Sequence, residues 1–215
     1  MQKRICFDVG ARDGERSLHL ASASEWEVYA FEPKPRRCDY LRERSRGARN
    51  YHVFQLAVAD KPSVIMLDSA GHHEPDTRLL SQKDSAAFVE AEIVHANAIT
   101  LRDFVIGHGI ERIDVLHSNA DGMDLEVLVG LGEKISIVQS GRMTVARSKQ
   151  SQMIERTRCE WENVVLFLYQ YGLQIAAIHA GDSRGRLMGE LVPLVQADRL
   201  VVDYVRANNV CGVLP

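Results

Sequence analysis

The chain lacks long hydrophobic runs, paired cysteines and any excess of basic charge, and each absence removes a class of function. No apolar stretch approaches the ~20 residues that a membrane-spanning helix needs. Lys and Arg number 26 against 29 Asp and Glu, a formal charge of −3, so there is no general attraction for nucleic acid or an anionic membrane. The cationic run Lys34, Arg36, Arg37, Arg42, Arg44 and Arg46 reads as a solvated helix face. Cys6, Cys38, Cys159 and Cys211 show no C-x-x-C spacing, which argues against a zinc site and for reduced thiols. Met1 leads through two polar or basic residues straight into a strand, leaving no room for a signal peptide. The expectation is a cytoplasmic protein that uses neither membrane nor nucleic acid.

What is present is a rhythm of short apolar strands and amphipathic helices over 215 residues, enough for one well-buried core. The chain therefore reads as one domain, 1–215. Strands are expected at 4–9, 27–32, 52–59, 63–68, 93–99, 112–120 and 135–141, with helices from about Glu15, over 34–46, from Thr100, at 123–132 and over 151–171. Gly172 is the stop of the last helix. A final strand pair, 173–180 and 199–207, reads as antiparallel. This order predicts an α/β fold with a mostly parallel sheet, helices on both faces and an antiparallel terminal pair. A polar insertion at about 68–92 interrupts it, and the insertion and the loop at 181–189 are the segments expected to shape a substrate pocket.

The first strand runs into "DVGARDG", 8–14. In such a sheet, ligands bind at the carboxyl ends of the strands where strand order reverses. Gly10 and Gly14 are spaced G-x-x-x-G, without the middle glycine of the G-x-G-x-x-G turn that receives a dinucleotide pyrophosphate. A nucleoside without phosphate fits better, and an NAD(P) oxidoreductase fits less well. Glu32 ends the second strand, 22 residues after Gly10, where a carboxylate can accept hydrogen bonds from both hydroxyls of a ribose.

Together "DVGARDGERS" (8–17), "AFEPKP" (30–35), "QLAVAD" (55–60), "ITLRDFV" (99–105) and "IDVLHSNADGMDLEVLVG" (113–130) resemble, in order and spacing, the FkbM-type S-adenosylmethionine-dependent methyltransferases. The resemblance implies a seven-stranded Rossmann-like class I methyltransferase fold. It implies that Asp8, Gly10, Ala11 and Gly14 line the methionine part of S-adenosylmethionine, with Ser17 in the helix beneath. Glu32, next to Pro33, takes the ribose; Val58, Ala59 and Asp60 border the adenine; Asn119 closes the strand beside the transferred methyl. Members mostly methylate hydroxyls of sugars or secondary metabolites, so the expected activity is O-methylation of a small hydroxylated molecule.

The chain departs from this family at residues 115–124. His117 replaces the usual lysine, Asn119 an aspartate, and Asp121 and Asp124 two glutamates; "VQSG", 138–141, lacks the acid common at the next strand end. An amide cannot accept a proton. Three readings follow: His117 is the base while Asn119 orients the hydroxyl, Asp121 is the base, or the protein binds its ligand with little or no turnover. No metal is expected. His72 and His73 neighbour Glu74 and Asp76, but adjacent loop residues seldom point at one ion. A homo-oligomer is compatible with the sequence.

Overall fold

The structure is a computed structural model that describes residues 2–68, 93–146, 160–181 and 199–207. Among the described residues, ten strands and four α-helices follow in chain order: β1 Arg4–Val9, β2 Trp26–Phe31, α1 Pro35–Arg44, β3 Tyr51–Phe54, β4 Ala57–Val58, β5 Ser63–Asp68, β6 Ile93–Ile99, α2 Leu101–Gly107, β7 Ile113–Ser118, α3 Asp124–Val129, β8 Val138–Ala146, α4 Trp161–Gln170, β9 Leu173–Gly181 and β10 Arg199–Arg206.

Seven strands form one sheet in the order β3-β2-β1-β7-β8-β10-β9. β3, β2, β1, β7 and β8 are mutually parallel, whereas β10 is antiparallel to both β8 and β9. The expected mixed sheet with its terminal antiparallel pair is present. The chain leaves β1 for β2 on one side, and β7 lies on the other, so a crevice opens between the carboxyl ends of β1 and β7.

Period-two alternation sorts each strand between two cores. Phe7, Val9, Leu116, Met143 and Tyr204 pack with Phe104, Leu128 and Leu168 of the helices. Cys6, Val28 and Val115 pack on the opposite face with Trp26 and Leu41. Thr100 caps α2, its hydroxyl accepting from the Asp103 N–H at 3.0 Å, and Gly172 ends α4 with φ +68°.

Several expectations need correction. The helix expected from Glu15 is instead a string of tight turns ending in a 3₁₀ turn at Leu20–Ser22. Its amides bond three residues back, Ser17 to Gly14, Leu20 to Ser17 and Ala21 to Leu18, which winds the chain too tightly for an α-helix. The strand expected at 52–59 is two: β3 joins the large sheet, while β4 pairs with β6 in a separate sheet ordered β4-β6-β5. The strand expected at 135–141 begins at Val138, because 132–137 form a 3₁₀ turn. Of the helix expected over 151–171, residues 151–159 lie outside the described residues. So do nearly all of the 68–92 insertion, from residue 69 on, and the 181–189 loop beyond Gly181. No helix among the described residues is long and apolar enough to cross a membrane.

Candidate functional site

The turn after β1 is docked onto the end of β2. The amides of Gly10 and Ala11 both donate to the Phe31 carbonyl, at 2.9 and 3.1 Å. Glu32, 2% exposed, secures the two sides: Oε2 accepts from the Arg12 amide and Oε1 from the Lys34 amide, each at 3.0 Å. Burial pushes the Glu32 carboxyl up, opposed by the Arg37 charge and these amides. Each carboxylate oxygen can accept more than one hydrogen bond, so the clamp is compatible with a ribose.

Asp8 lies one residue into the strand and accepts from Ser17 Oγ at 2.5 Å; Ser17 Oγ also bonds Tyr51 Oη at 2.8 Å. Burial raises the Asp8 carboxyl, and the Ser17 hydroxyl partly offsets this. Across the crevice, the Asn119 amide donates to the Val9 carbonyl at 2.9 Å, and its Oδ1 accepts from Thr144 Oγ1 at 3.2 Å.

The loop that follows, 119–123, is held by Asp124, which has no exposed surface. Its Oδ1 accepts from Ser118 Oγ at 2.6 Å and from the Ala120 amide at 3.1 Å; its Oδ2 accepts from the Gly122 amide at 3.4 Å. Asp121 is thereby held in the left-handed region, φ +50°, and lies 3.9 Å from the Arg199 guanidinium.

Two cavities meet at Gly10, Arg12 and Asn119, which border both. The first is lined by Glu32, Pro33 and Asp121 together with the apolar side chains of Leu56, Val58, Ile65, Leu67 and Met123. An apolar lining with one carboxylate is chemically suited to an adenosine, the carboxylate to its ribose. The second is more polar and bordered by Asp8, Ala11, Asp13, Glu15 and Arg16. Acids beside guanidiniums are chemically suited to the ammonium and carboxylate of an amino acid, so the two linings together suit the two halves of S-adenosylmethionine.

Five residues expected at the site border neither cavity. A Cβ on Gly14 would stand 2.7 Å from Leu18 and Leu41, so this glycine serves packing. Ser17 acts through Asp8. The Ala59 amide donates to Ile99 at 2.9 Å, and Asp60 follows it in the bend before β5. His117 lies one pleat below Asn119, in a polar row that crosses four strands in register: Asp8, His117, Arg142, Asp203. Arg142 grips Asp203 with two hydrogen bonds, 2.5 and 2.9 Å, and His179 Nε2 lies 2.9 Å from the same carboxylate. Burial, reinforced by Arg16 and Arg142, pulls the His117 pKa down to about 3, and its Nδ1 has no hydrogen-bond partner.

The residues that sequence reasoning passed over are Arg12, Arg16, Arg37, Leu56, Ile65, Leu67 and Met123. Ile65 and Leu67 carried a usable signal, two apolar residues on one face of a short strand. Among the described residues no three His, Cys, Asp or Glu side chains gather as a metal site.

The fold is similar to many solved structures, among them two methyltransferases of known source. One is an rRNA methylase from Streptococcus thermophilus, at a TM-score of 0.50 and 12% identity, covering 95% of this chain and 87% of that one. The other is a candidate RNA methyltransferase from Pyrococcus horikoshii, also at 0.50 and 12%, covering 95% and 76%. At such identity the likeness shows the fold alone. No curated protein matches the chain in sequence. The model of the FkbM methyltransferase domain, however, matches residues 8–174, a span that begins at Asp8 and contains Glu32, Asn119 and both cavities' borders. The chain thus belongs to the FkbM methyltransferase family, and S-adenosylmethionine is its methyl donor.

Proposed function

We propose that this methyltransferase acts on an oxygen of a small hydroxylated molecule, as one cytoplasmic domain that needs no metal and no nucleic acid. When bound, the cofactor supplies an electrophilic methyl group, and the protein's part is alignment. Glu32 binds the ribose, the Leu56 to Met123 slot holds the adenine, and the second cavity takes the methionyl end. The observation that carries the reading is the position of Asn119, which borders both cavities and so stands where the two halves of the cofactor meet. A formal charge of −3 favours a small substrate over nucleic acid.

Of the two residues considered as base, Asp121 borders the cleft, as does the orienting Asn119, and His117 lies beneath it. A histidine with a pKa near 3 is a feeble proton acceptor at neutral pH, so the reading favours Asp121 as acceptor for a neutral hydroxyl. Binding without turnover is the second reading, favoured by the uncharged side chain at 119. Turnover of methyl-labelled cofactor with a panel of hydroxylated metabolites, with and without chelator, separates the two. Chelator-resistant methylation of a hydroxyl supports the first; calorimetric binding of S-adenosylhomocysteine with no labelled product supports the second.

A further inference from the structure

Helix α1 opens on cations. Lys34 is its N-cap, Pro35 leads into Arg36 and Arg37, and its first turn contains no acid. Cations beside the positive end of a helix dipole are weakly disfavoured, so the helix itself does not favour this arrangement. Arg36 is exposed, as a solvated helix face requires, but Arg37 is half-buried and lines the first cavity together with Glu32.

Glu32 gives a cation a reason to stand there. Its buried carboxylate accepts from the Arg12 and Lys34 amides, one on each oxygen, at 3.0 Å. Burial pushes this carboxyl up, and among the influences that oppose it the Arg37 charge is the largest, ahead of both amides and the Lys34 charge. Around it among the described residues are also Arg12, with Asp13 beside it, in the turn after β1, and Asp121 in the loop after β7. On α1 itself, Cys38 Sγ donates to the Glu32 carbonyl at 2.8 Å, and its thiol is pushed up to about 12. That thiol therefore stays neutral below about pH 9.

We propose that Arg37 is a positioning residue of the nucleoside site: its guanidinium keeps Glu32 a carboxylate, and so keeps both oxygens acceptors for the ribose hydroxyls. The proposal rests on the assignment of Glu32 to the ribose and adds a residue that acts through it. A protonated carboxyl carries a hydrogen on one oxygen and has lost the charge that strengthens bonds to the other. A carboxyl with a raised pKa loses its charge as pH falls through that value. Without Arg37 the value lies higher, so ribose binding is lost earlier on acidification.

Calorimetric titration of the full chain with S-adenosylhomocysteine from pH 5 to 8.5 tests this in the unaltered protein, Arg37→Gln, Arg37→Lys, Glu32→Gln and the double variant Glu32→Gln with Arg37→Gln. In Arg37→Gln the midpoint of affinity loss should lie about one pH unit or more above that of the unaltered protein. Between the two midpoints it should bind about tenfold more weakly, and at the alkaline end the two proteins should converge, which also shows the variant folded. Arg37→Lys keeps the charge and should bring the midpoint back. The double variant should match Glu32→Gln at every pH, because neither has a carboxylate at 32 for residue 37 to act on. Asp8 is common to all five proteins and cancels in the comparison.

Parallel profiles for the unaltered protein and Arg37→Gln, coincident or offset by a uniform loss, overturn the proposal and leave Glu32 on the ribose. A shift that persists in the Glu32→Gln background puts the effect of Arg37 on another group and overturns it as well. Equal affinity of Glu32→Gln and the unaltered protein at pH 8 removes Glu32 from the ribose, and the proposal with it.

Discussion

A Cβ at position 10 would stand 2.2 Å from the backbone carbonyl oxygen of Asn119. The loops leaving β1 and β7 therefore touch at their backbones, and the Asn119 amide donating to Val9 at 2.9 Å closes the contact. Gly10 also has φ +71°. Its freedom from a side chain serves the joining of the two loops before it serves any ligand.

Gly10→Ala should consequently fail in folding stability. The left-handed backbone costs ~1–2 kcal/mol and forced overpacking ~1–3 kcal/mol, on the order of 2–5 kcal/mol together. Urea denaturation of the variant without cofactor is the measurement. Full stability with lost cofactor binding would return the glycine to a purely ligand-facing role.

Glu32→Ala should weaken S-adenosylhomocysteine binding by about 30-fold, the loss of two ribose hydrogen bonds of about 1 kcal/mol each. Because Glu32 also holds the Arg12 and Lys34 amides, the variant should melt earlier even without ligand. Glu32→Gln, which keeps one acceptor, should fall between. Calorimetric titration of all three proteins decides, and equal affinities would remove Glu32 from the ribose site.

His117 makes stability depend on pH above the range of ordinary carboxylates. Its folded pKa of about 3 lies below the ~6.5 of an unfolded histidine, so the unfolded chain binds the proton more readily. Stability is full above about pH 6.5 and declines as pH falls toward 3, by ~1.4 kcal/mol per unit once well below 6.5. Between pH 7.0 and 5.5 the share of His117 should be a loss of about 1 kcal/mol, read in urea unfolding as the difference between the protein and His117→Gln. The buried carboxyls of Asp8, Glu32 and Asp124, raised by burial, act with the opposite sign. They are common to the protein and His117→Gln, and cancel in the difference. An equal pH slope in His117→Gln would refute the assignment.

Much of this fold is legible in periodicity because burial on both faces dictates it. β1 and β2 are mostly apolar, and the ends of β1 and β6 fall where the pattern breaks. The turns at 12–22 were not legible: "ERSLHLAS" has helical spacing, and the contacts that hold the tighter winding, Ser17 to both Asp8 and Tyr51, and Arg44 to the Asp13 carbonyl, are tertiary. The split at 54–57 was hidden for a similar reason, since "HVFQLAVA" alternates throughout and only pairing with β6 assigns its second half to another sheet.

At the candidate site, Gly10 and Glu32 stand at strand ends where local spacing puts them and border the cavities, whereas Gly14 of the same glycine pair packs against Leu18 and Leu41. His117 shows the limit of such counting. Two residues from Asn119 on one strand, it shares a face with it, yet the cleft ends at Asn119. The register that pairs His117 with Arg142, and Arg142 with Asp203, puts it inside a charged row that no spacing along β7 reveals. Arg12 and Arg16 reach the cavities from a turn whose shape the sequence did not disclose.

Asp124 is where local structure and chemistry are most tightly coupled. Its carboxylate accepts from Ser118 Oγ, the Ala120 amide and the Gly122 amide, and this fixes the loop in which Asn119 and Asp121 border the cleft. Asp121 at φ +50° and Gly122 at φ +96° hold conformations that, at a non-glycine residue, cost about 1–3 kcal/mol without support. Asp124→Ala removes all three bonds, so the loop should relax and Asn119 and Asp121 should lose their fixed relation to the transferred methyl. A misplacement of about 1 Å can cost ~100-fold in rate. The expected result is a fall in kcat of that order, with cofactor affinity reduced far less, because Glu32, Leu56, Val58, Ile65 and Leu67 belong to other elements and only Met123 of the slot lies in this loop. Asp124→Asn keeps one acceptor oxygen at the position of Oδ1 and should restore part of kcat. A purely structural role would instead lower the melting temperature of both variants while leaving kcat of the folded fraction unchanged. Single-turnover rates measured with saturating cofactor distinguish the two, and an unchanged rate in Asp124→Ala would show that the loop holds its shape without the clamp.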